Sequence, residues 1–373
     1  MDSIVETINV TCIGNLLILL LFTLYRKPRT IVNVLLSAII IFPVFAMIFN
    51  LLLYFHIIYE YPIAFYLTFP INYLWAPALL FYVRIMTGES IKLKAIDLFH
   101  LLPSIASIGY SVFFSMQDKA FQADFFNRIF YNPPLPLRSM NMVLNLQVFL
   151  YCFLCFRKVN RFEKTIRSLY SETQNISAQW IKQFVLLYVI LNIIAIIPEM
   201  LLPDLLGFVI LLPITMFISF IYLAYNNATH KRLYDFHIQI EQLYSVSNID
   251  ESESPELNKT EIDPNVQLLT QVMITTKCYL NENLSLQTLS DITAIPNHKL
   301  SEIINKNWEM NFFDFVNSYR IEYSKQLILD PENNKYTIET IAQMSGFKNR
   351  STFYSAFNKK TGMSPREFKN SHP

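Results

Sequence analysis

Charge is what this chain has least of. Only 16% of its 373 residues are Asp, Glu, Lys or Arg, against 53% hydrophobic and 15% aromatic, and the mean hydropathy is +0.30. A soluble globular chain carries more charge and less aliphatic bulk. The shortage is uneven. Up to about Tyr225 the apolar residues form long runs; beyond it the composition is that of an ordinary soluble domain. The formal net charge of +1 averages over that division and says little about partners.

Cysteine is scarce as well. Cys12, Cys152 and Cys155 lie in apolar runs and Cys278 in the soluble part, which gives no disulfide framework. Cys152 and Cys155 form a CxxC inside an unbroken apolar segment, where packing explains them better than redox or metal chemistry. Met1–Thr11 lacks a basic start and no small-residue cleavage site follows, so the first apolar run is expected to remain as an anchor. The apolar runs hold no HExxH, no paired carboxylates and no proton-relay series. Their few polar residues, Asn15, Asn50, Asn72, His100, Gln147 and Asn192, read as interhelical hydrogen-bonding groups, and Arg84 as a snorkelling side chain. No enzyme activity, metal or cofactor is expected. No receiver domain or kinase is present, so sensing and output would share one chain.

What is present is a series of about seven apolar segments, since a bilayer core takes about 20 apolar residues per helix. They are Ile8–Tyr25, Ile31–Phe55, Ile63–Met86, Leu98–Met116, Met140–Phe156, Phe184–Leu202 and Leu205–Tyr225. Pro43, Pro70, Pro77, Pro103 and Pro213 fall inside them, which spanning helices tolerate when neighbours satisfy the freed carbonyl. Basic residues follow the first, third, fifth and last: Arg26, Lys27 and Arg29; Lys92 and Lys94; Arg157, Lys158, Arg161, Lys164 and Arg167; His230, Lys231 and Arg232. That bias places the N-terminus outside and the C-terminus in the cytoplasm, as an odd span count requires. On the outer side, the aromatic- and proline-rich loop Gln117–Ser139 is too long for a minimal connection. With His56, Glu60, Glu199 and Asp204 it outlines a candidate ligand pocket for an unknown signal.

Asn226–Pro264 links the two parts. Leu233, Phe236, Ile240 and Leu243 have the three-four-three spacing of a coiled-coil seam about two heptads long, which would pair two copies of the chain. A membrane-emergent amphipathic helix fits the same residues. The acidic run SNIDESESPELNKTEID then reads as a flexible tether, and cleavage within it would release a soluble regulator.

Beyond Pro264 the pattern is helical. Asn265–Asn281 is a first helix. Ser285 caps a second, with Leu286, Leu289 and Ile292 facing inward. Pro296 starts a third, with Leu300, Ile303 and Ile304 buried. In Thr337–Lys369, Ile338, Ile341 and Ala342 face a core, Gly346 reverses the chain, and Asn349 and Ser351 are positioned to cap the next helix. Phe353 and Phe357 mark that helix's buried side. Its other side carries Arg350, Tyr354, Ser355, Lys359 and Lys360, a polar and basic face suited to a major groove.

The spacing IAxxxGFxxxxxFxxxFxxxxGxSPxxF is met by Ile341, Ala342, Gly346, Phe347, Phe353, Phe357, Gly362, Ser364, Pro365 and Phe368. It resembles the second helix-turn-helix of the AraC/XylS family of bacterial transcription regulators. LSLxxLSxxxxIxxxxLSxIIN resembles the family's first, and Asn311–Leu329, with Phe315, Tyr319, Ile321, Ser324 and Leu327 on its apolar side, resembles the joining helix. The likeness covers about a hundred residues from Val266 onward and none of the membrane part. Taken with the apolar runs and the link, it gives an all-α chain in three parts: a bundle over 1–226, a link over 227–264 and a double helix-turn-helix domain over 265–373, with modules near 285–307 and 337–361. It implies a bacterial inner-membrane regulator that binds operator DNA, with RNA polymerase a candidate partner. Carried over by position, the base-reading residues are His298, Ser301, Glu302, Asn349, Arg350, Ser351, Tyr354 and Ser355. Arg350 leads, because arginine pairs bidentately with guanine. Lys299, Lys306, Lys348, Lys359 and Lys360 would meet phosphates. Pro296 and Glu302 depart from the family pattern, which often has serine and arginine there; a carboxylate repels phosphate but can accept from cytosine N4. A transporter or membrane enzyme with a partner-recruiting helical domain is the alternative.

Overall fold

The computed structural model describes residues 2–25, 31–89, 95–128, 134–173, 177–201, 210–229 and 264–371. The seam residues Leu233, Phe236, Ile240 and Leu243, the acidic tether, Asp204, the side chain of Glu199, and the basic groups at 26–29, 92–94 and 230–232 lie outside what is described. The chain forms two compact units, one of residues 1–160 and 178–238, the other of 161–177 and 239–373. Every regular element among the described residues is a helix.

The first unit contains α1 (Asp2–Tyr25), α2 (Ile31–Tyr54), α3 (Ile63–Met86), α4 (Leu102–Ser115), α5 (Lys119–Arg128), most of α6 (Leu135–Leu169), α7 (Gln179–Leu201) and α8 (Leu212–Thr229). The described parts of the seven apolar segments are helical almost throughout. Among the described residues four stretches, Ser3–Tyr25, Ile31–Leu52, Ala95–Ser115 and Leu135–Leu169, are long and apolar enough to cross a membrane; the apolar part of α7, Gln179–Ile194, is shorter. These helices are apolar on their outer faces too. In α1, Leu16 is fully buried while Ile18 is 67% exposed. A helix hydrophobic all round suits a lipid solvent or a large core.

Proline and polar residues inside this unit are matched to one another. Pro77 has no N–H for the carbonyl of Tyr73, one turn back. Gln147 of α6 donates to that carbonyl at 3.1 Å. His100 bonds the hydroxyl of Tyr151. Asn15 and Asn192 instead bond carbonyls of their own helices, Thr11 and Tyr188. Arg84 does not simply snorkel: it pairs with Glu89 at 2.6 Å and Asp97 at 2.8 Å. The aromatic loop after α4 folds into α5, and Phe125 and Phe126 are buried against Phe65 and Phe114. Those aromatics fill a core. His56, in a left-handed conformation, and Glu60, exposed, stand at the corner between α2 and α3.

The second unit takes the end of α6 and then α9 (Pro264–Thr276), α10 (Leu286–Thr293), α11 (Asn297–Trp308), α12 (Phe312–Leu329), α13 (Ile338–Met344), α14 (Arg350–Thr361) and α15 (Pro365–Ser371). Side-chain caps start several of these. Ser285 accepts from the Thr288 amide at 3.1 Å, Asn311 from Asp314 at 2.9 Å and Thr337 from Thr340 at 3.1 Å. Two apolar clusters result, and α12 serves both. Phe315 and Val316 close on Leu269, Leu289 and Leu300, whereas Ile321 and Ile328 close on Ile341, Phe353 and Phe357. One inward position differs from the expected stripe. Ile292 is 44% exposed and Thr293 is buried in its place. The stripe runs 286, 289, 293, a helical spacing that passes over 292.

Candidate nucleic-acid interface

The second helix-turn-helix is built on a tight turn. Gly346 has φ +85°, and a Cβ there would lie 2.6 Å from the Tyr279 carbonyl oxygen and 2.8 Å from Leu280 Cα. Only glycine suits both the conformation and the approach. Phe353 and Phe357 are fully buried in α14, their rings 5.5 Å apart, and Phe347 lies 5.1 Å from Phe353. Anchoring that face turns the opposite one outward. There Asn349, Arg350, Ser351 and Tyr354 line one shallow open hollow, with Ser355 exposed one turn on.

The guanidinium of Arg350 lies 3.0 Å from Glu339 of α13 and 4.9 Å from the Tyr354 ring centre, with its side chain 64% exposed. It is oriented without being buried. Asn349 occupies the N-cap position of α14, but its side chain makes no capping bond, and its amide nitrogen has no partner among the described residues. Ser351 lies inside the helix and is not its cap. The second module thus gathers five of the eight base-reading candidates on one helix start and face.

In the first module, α11 buries Leu300, Ile303 and Ile304 and exposes His298 and Glu302, with Ser301 half-buried. Lys299 lies 3.2 Å from the Glu302 carboxylate. That pair softens the carboxylate's repulsion of phosphate and gives Lys299 a competing partner. Lys348 lies 3.5 Å from Glu282, and Lys359 lies 2.9 Å from Asp314. Exposed ion pairs contribute at most about 1 kcal/mol and exchange readily. Lys306 and Lys360 are exposed and form no ion pair among the described residues. Among the described residues no three His, Cys, Asp or Glu side chains come together as metal ligands.

Sequence reasoning passed over Arg320. Its side chain is fully buried in α12. Nε donates to the Tyr279 carbonyl at 2.6 Å, Nη1 to Asn317 Oδ1 at 3.2 Å and Nη2 to the Asn281 carbonyl at 2.8 Å. Its guanidinium carbon lies 5.6 Å from the Phe347 ring centre. Burial lowers its pKa to about 10, partly offset by Glu172 and Glu282, so it stays charged at neutral pH. The available signal was its register: Val316, Arg320 and Ser324 follow at i, i+4, i+8 on the buried face.

Residues 289–371 match the profile of a family described as a helix-turn-helix domain, of AraC type. The match runs from within α10 through α15 and takes in most of the first module and all of the second. It is a DNA-binding regulator family, not an enzyme family. A solved structure described as a protein of unknown function from Listeria innocua is 28% identical; it is matched over its whole length and over 30% of this chain, with a TM-score of 0.26. No curated protein matches the chain.

Proposed function

We propose that this chain is a membrane-embedded transcription regulator that binds specific operator sequences and couples a signal at the membrane to gene expression. The observation that carries the reading is the outward face of α14, Asn349, Arg350, Ser351 and Tyr354, presented by a helix-turn-helix domain in one chain with four helices able to cross a membrane. In this reading residues 1–226 sense, 227–264 link and 265–373 bind DNA. The C-terminal domain is cytoplasmic, on the inner face of a bacterial membrane, because only there does it meet the chromosome. Two chains bind together through the seam at Leu233, Phe236, Ile240 and Leu243, and bound protein recruits RNA polymerase as an activator.

Arg350 reads a guanine edge, with Glu339 and Tyr354 holding its fork in place before DNA arrives. The lysines supply sequence-independent affinity, Lys306 and Lys360 first and the paired ones by exchanging carboxylate for phosphate. A signal shifts DNA binding only by favouring one arrangement of the bundle over another. His56, Glu60, Glu199 and Asp204 on the outer side are the proposed contacts for that signal. Chromatin precipitation with the intact chain tests the reading: discrete enriched loci are expected. Their absence, together with solute uptake by the bundle, would favour a transporter.

A further inference from the structure

Helix α6 is 35 residues long, about 52 Å at 1.5 Å per residue. A bilayer core is about 30 Å thick, so the helix outruns any membrane it crosses. Its last turns, Arg161–Leu169, belong to the second compact unit, and so do the residues that follow. Ile166 is fully buried, Leu169 packs into the first-module core, and the Arg167 guanidinium lies 5.6 Å from the Phe313 ring centre. Tyr170 then pairs in an antiparallel bridge with Ser285, the residue that caps α10.

Ser171 is the innermost residue of this segment, with no exposed surface. Its amide and its hydroxyl both donate to the Leu284 carbonyl, at 3.2 and 2.6 Å. Arg320 donates to it twice, Nη1 to its carbonyl at 3.4 Å and Nη2 to its hydroxyl oxygen at 3.1 Å. Two of the five hydrogen bonds of a fully buried cation therefore end on a residue that is far from the domain in sequence. The other contacts of that cation reach Asn317 of its own helix, the turn before the first module, at Tyr279 and Asn281, and Phe347 of the second module. Removing the segment would strand donors of a buried charge, which a packed domain avoids by rearranging. Leu284 and Arg320, the partners of Ser171, are not among the base-reading residues.

We propose that the end of α6, through Tyr170 and Ser171, is a docking segment that holds the two helix-turn-helix modules in their DNA-binding register, so that DNA affinity reports whether the segment is seated. The inference rests on the reading of the chain as a DNA-binding regulator, and it assigns the coupling element to α6.

The test uses the intact protein in lipid nanodiscs and the DNA fragment most enriched with it in chromatin precipitation. Ser171→Ala removes the hydroxyl and leaves the backbone; Ser171→Thr keeps a hydroxyl; Ser168→Ala is the control, since among the described residues the Ser168 hydroxyl bonds the Thr165 carbonyl of its own helix and nothing else. Affinity is read by fluorescence anisotropy, and amide exchange is followed over 277–285 and at Phe347. Ser171→Ala is expected to weaken DNA binding about fivefold or more, the lower end of ordinary coupling, and to speed exchange at the turn before the first module and at Phe347 of the second. Ser171→Thr should recover most of the affinity, and Ser168→Ala should change neither reading. Affinity of Ser171→Ala within about twofold of the parent, or tighter, overturns the proposal. If the parent itself binds no fragment, it is the DNA-binding reading that fails.

Discussion

Gly346 and Tyr279 meet backbone to backbone: a Cβ on the glycine would lie 2.6 Å from the tyrosine carbonyl oxygen. The same oxygen accepts the Arg320 Nε–H, also at 2.6 Å. The turn of the second module is thus pressed onto the turn that precedes the first, and the buried cation fixes where they meet. Two short helical pairs joined by a single helix would otherwise have little to set their relative angle. Two recognition helices can address consecutive stretches of one duplex only if that angle is held.

Gly346→Ala is expected to destabilise the second unit by about 2–4 kcal/mol, from left-handed strain plus a clash with backbone that cannot rotate away. Limited proteolysis of the intact protein across a temperature series reads this directly. Equal midpoints for parent and variant would contradict the contact.

Arg350→Ala is expected to weaken binding to the preferred sequence by about 1–3 kcal/mol and to relax preference at one base pair. Glu339→Ala removes the carboxylate 3.0 Å from Arg350 that orients its fork; it should cost less, because the guanidinium itself remains. Anisotropy titrations against a set of single-base variants separate the two. A loss that is uniform across sequences would make Arg350 a phosphate contact.

Lys306→Ala and Lys360→Ala should each lower the slope of log affinity against log salt by about 1, with sequence preference kept. Lys359 begins paired with Asp314, so its removal should cost less than that of Lys360. Titrations at several salt concentrations give the slopes, and unchanged slopes would take these lysines off the DNA.

The start of α15 carries a pH prediction. The Ser364 amide donates to the Glu367 carboxylate at 2.7 Å, and the Glu367 amide donates back to the Ser364 hydroxyl at 3.2 Å. The bonds from Ser364 lower the Glu367 pKa from 4.5. A carboxylate with a lowered folded-state pKa adds stability above its unfolded value and loses it as pH falls through the folded one. Acidification below about pH 4.5 should therefore loosen α15, and Glu367→Gln should abolish that acid step. Difference circular dichroism of the two proteins on acid titration is the measurement.

The local pattern made α14 legible, because Phe353 and Phe357 stand one turn apart and a glycine precedes them at the turn. It also made the apolar helices legible by length. What it did not convey is tertiary. Pro77 and Gln147 each stood out alone, yet nothing in the sequence pairs the carbonyl that one frees with the amide that satisfies it. Arg320 stands with Val316 and Ser324 on the buried face of α12. Its acceptors come from the turn at 279–281 and from Ser171, 149 residues upstream, and no local period points there. Ile292 was misplaced because α10 is short and Thr293 continues its stripe equally well.

Chromatin precipitation with the intact, membrane-fractionated protein tests the central claim most directly. The account predicts discrete enriched loci that share one sequence element and lose enrichment with Arg350→Ala. Membrane-bound protein with no enriched loci, or loci that survive Arg350→Ala unchanged, would contradict it.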